Sequence, residues 1–201
     1  MDTDGDIELS DEDVALLEQE APVLSGIRTF VAEAVRVPWF SRLGQPFDQQ
    51  ERTLAQGYLE KLGEPAADLA LITSWEEAGD AAEPPGWDAP QFELEEQLRA
   101  SLTLEVQENL SEEAYDLAQA YVQSSILPAI EQAVLYAATN DGVEDEELMQ
   151  AAIGAGLQAV HNVVLAMAAD AGVEHPFLAK FALFAKGRWP IGIAGLSFNM
   201  F

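Results

Sequence analysis

The stretch DEELMQAAIGAGLQAVHNVVLAMAADAG, residues 145–172, decides the fold. It opens on an aspartate that can cap a helix, places two glutamates in the first turn, and closes on a glycine. Between those signals, apolar and small residues fall on most faces of a helix, with none of the alternation of a strand. A helix that is apolar all round belongs at the centre of a bundle, covered by others. Its longest apolar run, Ala151 to Ala169, still contains Gln158, His161 and Asn162, which is too polar and mixed for a membrane span.

Working outward from it, the neighbours also read as helices. Residues 91–109 and 111–139 form two longer ones; Ser111 caps the second, Glu112 and Glu113 suit its positive end, and Asn140-Asp141-Gly142 closes it. Pro128 is expected to kink or split that helix. Nearer the amino terminus, Ser10 with Asp13 starts a helix and Pro22 starts another through Val23, Ile27, Phe30, Val31 and Ala34. Pro38 to Pro46 is a loop. Asp48 with Glu51 makes a capping box for a helix ending at Gly63. Pro65 then leads a predicted helix through Leu69, Ile72 and Trp75 to a stop at Gly79. Residues 80–90, with Glu83-Pro84-Pro85-Gly86 and Pro90, are a long Pro-rich loop.

No strand run with turn signals stands out, so a substantial sheet is not expected. The predicted fold is all-α: a compact, orthogonally packed bundle of about seven or eight helices. Residues 1–10 are expected to be a flexible acidic tail, and residues 11–201 a single helical domain with a possible subdomain break at 80–90.

A hydrophobic share of 49% supplies a full core and argues against disorder for most of the chain. The charge is extreme, with 36 acidic against 9 basic residues and a net of −27. Such a field repels phosphate backbones, which excludes direct nucleic-acid binding. It is also uneven. Residues 63–120 hold fifteen acids against Arg99 alone, whereas residues 26–62 are nearly neutral. Solubility, adaptation to high salt (only Lys61, Lys180 and Lys186 are lysines) and capture of a basic partner each account for it. Cysteine is absent, so disulfides and thiolate metal sites play no part. The acidic start differs from a basic signal peptide, and the expected location is cytoplasmic.

Chemistry-bearing motifs are sparse. Asp2, Asp4, Asp6 and Asp13 mimic part of a calcium loop, but Ile7 takes the position of its glycine, and a solvated tail feeding a helix cap accounts for them. Asp141, Glu144, Asp145, Glu146 and Glu147 suit a helix amino terminus better than a cation site. Neither histidine, His161 or His175, has a Glu three residues earlier, which sets aside a carboxylate-bridged metal centre. No metal and no cofactor is expected. Nucleophile elbows and phosphate loops are absent as well, which points away from catalysis. Gly154-Ala155-Gly156 lies inside a helix, where glycine permits close helix contact.

The carboxyl-terminal stretch HPFLAKFALFAKGRWPIGIAGLSFNMF is too apolar to be left in water. His175 and Pro176 open a short helix that Gly187 ends. The remainder is expected to pack across the protein's own helices with its cations facing the acidic body, to form a homodimer or partner interface through Arg188 and Trp189, or to touch a membrane surface, which the net charge opposes.

Two functions follow from these observations. The leading expectation is a non-enzymatic binding or regulatory protein that engages a basic protein, with Glu93, Glu95, Glu96, Glu105, Glu108, Arg188 and Trp189 as interface candidates. The alternative is a small-molecule-binding protein or enzyme whose helical pocket surrounds His161 together with Gln158, Glu131 or Tyr136.

Overall fold

The computed structural model describes residues 22–82 and 90–201. Among them are seven helices, α1 (Val23–Ala34), α2 (Gln49–Leu62), α3 (Trp75–Ala82), α4 (Pro90–Asn109), α5 (Glu112–Asp141), α6 (Glu146–Ala168) and α7 (Pro176–Phe184). Three short strands, β1 (Asp68–Leu71), β2 (Pro190–Ala194) and β3 (Ser197–Met200), complete the fold. The protein is therefore a mostly helical, compact multi-helix fold carrying one small sheet. The helix starting near Ser10, the tail of residues 1–10, the aspartates of the calcium-like pattern and most of the 80–90 loop lie outside the described residues.

Local signals set the helix ends. Asp48 accepts the Glu51 amide while Glu51 accepts the Asp48 amide, a complete capping box on α2, and Gly63 ends that helix in the left-handed conformation. Ser111 caps α5, Asp145 caps α6, and the imidazole of His175 accepts the Phe177 amide at the head of α7. Glu146 and Glu147 occupy the first turn of α6, as its dipole favours. Pro128 does not split α5, which runs unbroken for 30 residues.

The central role of α6 holds. It touches α1, α3, α4, α5 and α7. By length and composition it is apolar enough to cross a membrane, yet 61% of its most apolar window is buried inside the fold. Its contact with α5 is close because of Gly156, where an added Cβ would stand 3.2 Å from Ile130 Cγ2. Ile126, Ile130, Val134, Val160 and Val164 fill that seam.

Two segments depart from expectation. The helix predicted from Pro65 to Gly79 is instead β1 followed by α3, and α3 continues through Gly79 to Ala82. Secondly, the carboxyl-terminal stretch folds into the hairpin β2–β3, whose turn holds Gly195 at positive φ. The sheet order is β1-β3-β2, with β1 parallel to β3 and Leu69 opposite Phe198. Trp189 and Phe201 exchange both backbone hydrogen bonds at the open end of the hairpin. Phe198, Met200 and Ile193 pack with Tyr58, Leu59 and Leu183 between the sheet, α2 and α7. Most of the segment's apolar side chains are buried within the fold, and the two interface candidates it holds are buried with them: Trp189 is 2% exposed and Arg188 0%, whereas Leu196 at the hairpin turn is 77% exposed.

Arg188 locks the hairpin to α2. Its five N–H donors are all used, on Glu51 Oε1 and Oε2 at 2.9 Å each and on the carbonyls of Arg42, Gln45 and Pro46. Gly187 lets the chain approach that loop, since a Cβ there would lie 2.4 Å from Ser41 Oγ and 3.0 Å from the Pro38 carbonyl, at a φ of 81°.

Candidate functional site

One face of α6 carries Ala151, Gly154, Ala155, Gln158, Ala159 and Asn162 at helical spacing. Four of the six are alanine or glycine, and side chains that small leave space between α6 and the elements opposite it. The result is a cleft of about 380 Å³ bounded by α6, the end of α3, the first turns of α4, α7 and the start of β2. That volume falls within the range of about 300–1,000 Å³ usual for small-molecule sites. Ala151, Gly154 and Gln158 are exposed at the mouth. An added Cβ on Gly154 would meet nothing within 4 Å, so this glycine opens the cleft where Gly156 closes the helix seam.

The walls are mainly apolar, with Phe92, Phe184, Trp189, Ile191 and Ile193 among them, and the floor is polar. Gln91 and Glu95, one turn apart on α4, meet Tyr58 from α2 and Lys180 from α7. Lys180 Nζ donates to Glu95 Oε1 at 2.7 Å and Oε2 at 3.0 Å. Tyr58 Oη donates to Glu95 Oε1 as well. Gln91 Nε2 donates to Tyr58 Oη and to Glu95 Oε1, and Gln91 Oε1 receives the Ile193 amide from the outer edge of β2. Arg99 stands 3.8 Å from Glu95 Oε2.

This network fixes the protonation of its members. Burial alone would raise the Glu95 carboxyl, but the Lys180 ammonium, with hydrogen bonds from Lys180, Tyr58 and Gln91, outweighs it and leaves Glu95 below its ordinary value. Burial, and then the charge of Glu95, push the Tyr58 hydroxyl well above its ordinary range. Glu95 is thus a carboxylate whose two oxygens are occupied, and Tyr58 a neutral donor.

Asn162 completes the site and was not anticipated as part of it. It lines the cleft and is only 4% exposed, yet its side-chain amide has no hydrogen-bond partner among the described residues. Its amide is not among the fully buried unpaired atoms, so it opens to the cleft and can offer its hydrogen bonds there.

The pocket predicted around His161 is not assembled. Gln158 lines the cleft, whereas His161 is half-buried beside it and does not. Its Nε2 is buried without a hydrogen-bond partner, and burial holds its pKa below the ordinary value. Glu131 is exposed on α5, and Tyr136 is exposed at a separate groove with Trp39, Ala133 and Ala137. The helical period put His161 near Gln158, but around the helix it lies about 60° from Gln158 and about 100° from Asn162, on the far side of Gln158 from Asn162.

The interface candidates divide as well. Glu93, Glu96, Glu105 and Glu108 are exposed on α4, whereas Glu95, Arg188 and Trp189 are buried and unavailable to a partner. Glu95 faces inward because α4 turns its 91–95–102–106 side to the core. Among the described residues, no three His, Asp or Glu side chains come together as a metal site. The chain matches no protein-family model, no curated protein and no solved structure.

Proposed function

We propose that the protein binds a small molecule in the cleft between α4, α6, α7 and β2. The observation that carries this is Asn162, a residue only 4% exposed whose side chain makes no hydrogen bond within the described residues and lines an apolar-walled cleft of ligand size. Binding is favoured over catalysis. A general base works best with a pKa near neutrality, but the Lys180 ammonium and the hydrogen bonds to Glu95 hold its carboxyl below the ordinary value, and burial keeps the proton on Tyr58. The rigid floor serves to position a ligand.

Gly154→Leu supplies the test, since its side chain enters the cleft mouth from a position with free space and leaves the core untouched. A ligand at 100 times its Kd stabilises the folded state by about 2.7 kcal/mol, which a thermal-shift screen of small fragments detects. Hits on the wild type are expected to lose their effect on Gly154→Leu. Fragments that stabilise both proteins equally would show that they bind elsewhere and remove the support for this cleft.

A further inference from the structure

We infer that the cleft takes a small monoanionic acid, a carboxylate on an aryl or branched-alkyl body, received by Lys180 and Asn162; this rests on the cleft being a ligand site. The available hydrogen-bonding groups favour such a head group. Lys180 has three N–H donors and directs two contacts to Glu95, leaving one proton without a protein acceptor on a side chain that lines the cleft. Asn162 adds two more donors. Glu95, the one carboxylate in the lining, already accepts from Tyr58, Lys180 and Gln91 and is paired with the Lys180 ammonium, which leaves it less free for a ligand cation than Lys180 and Asn162 are for an anion.

Charge favours the same head group. Three charged side chains are buried together, Glu95, Lys180 and Arg99, at 6%, 14% and 16% exposure. They sum to one positive charge. The partner that balances Arg99 is Glu96, whose side chain is 52% exposed and therefore screened by water. In the cleft lining Lys180 and Glu95 balance each other; Arg99, outside the lining but 3.8 Å from Glu95 and with Nη1 lacking a hydrogen-bond partner, adds the positive charge in excess, whose field favours an anion over a cation in the cleft. The net −27 of the chain does not forbid this, because its field decays over about 8 Å at physiological salt. Phe184, Trp189 and Ile191 provide the apolar contact for the body of the ligand.

Three probes that differ only in head group decide the matter on the full chain: 2-naphthoate, 2-naphthamide and 2-naphthylmethylamine. Calorimetry and the side-chain amide NMR signals that vanish in Asn162→Leu are the readouts. Naphthoate is expected to bind about ten-fold tighter than naphthamide, with the amine weakest, because a charge-assisted hydrogen bond is roughly twice as strong as a neutral one. Lys180→Met is expected to abolish that preference; should it fail to fold, the wild-type ranking decides alone. Naphthamide binding as tightly as naphthoate, or the amine binding best, overturns the anion assignment and leaves the ligand site standing. If none of the three moves the Asn162 signals, the assignment and the ligand site fall together.

Discussion

Arg188 and Glu51 show how much of the fold hangs on one pair that sequence could not join. The capping box of Asp48 and Glu51 is legible in four consecutive residues, because its two hydrogen bonds are local. That Glu51 also receives a guanidinium from 137 residues away has no local signal. Arg188 looked like an interface anchor for the same reason that it is a buried one: a planar fork of donors beside Trp189 suits any dry, shaped socket. Truncating it leaves Glu51 in the interior with Arg42 as its one remaining cation and the Asp48 amide as its one remaining backbone donor, so Arg188→Met is expected to cost about 3–5 kcal/mol in urea denaturation. The pair also sets part of the acid limit. Burial would raise the Glu51 carboxyl, but Arg188, the Asp48 amide and Arg42 override it and hold Glu51 below its reference value of 4.5. The stability from a depressed carboxyl is present above the unfolded value and lost as pH falls through the folded one. Unfolding free energy should therefore decline below pH 4.5, and less steeply in Glu51→Gln; equal slopes in the two proteins would contradict this assignment.

At the scale of elements, the long helices were legible because period and caps agreed, and the sheet was not because it is made by distant pairing. β1 is four residues whose partner, β3, lies near the other end of the chain. A short apolar run such as Leu69-Ala70-Leu71-Ile72 fits either state, and Pro65 favoured the wrong one. A better signal was present at Ser74 and Glu77: Ser74 Oγ accepts the Glu77 amide, and Glu77 accepts from Thr73, which starts α3 where it is found. The hairpin likewise had its mark in Ile191, Ile193, Phe198 and Met200 alternating around Gly195. Within α6, the two glycines of Gly154-Ala155-Gly156 do opposite things. An alanine at 154 meets open space and restricts the unfolded chain, so Gly154→Ala should stabilise by about 0.4–1 kcal/mol. The same change at 156 drives a methyl to 3.2 Å from Ile130 and should destabilise. Chemical denaturation of the two variants checks the sign of each; matching signs would mean that the two faces of α6 are not distinguished as described.

For the molecule as a whole, binary pattern was enough to specify a mostly helical bundle with α6 inside it, while the cleft needed tertiary knowledge. Tyr58, Glu95, Asn162 and Lys180 come from four helices, and no spacing in the sequence links them. Gln158 was picked out for its neighbour His161, and Glu95 for its charge; the fold placed both at the cleft for other reasons. The charge map survives in altered form. Among the described residues, Arg188, Lys180 and Arg99 are drawn inside to meet Glu51 and Glu95, so three of the nine bases are taken from the surface of a chain whose net charge is −27. Self-repulsion on that scale opposes the compact state and is screened by ions, whereas the buried pairs are screened far less. Raising NaCl from about 10 mM, where the screening length is about 30 Å, to about 1 M, where it is about 3 Å, should therefore raise the unfolding midpoint steadily. If the exposed ion pairs such as Lys61–Glu174 governed stability instead, the midpoint would fall over the same range. Their worth is at most about 1 kcal/mol each, too little to reverse the effect of so large a net charge.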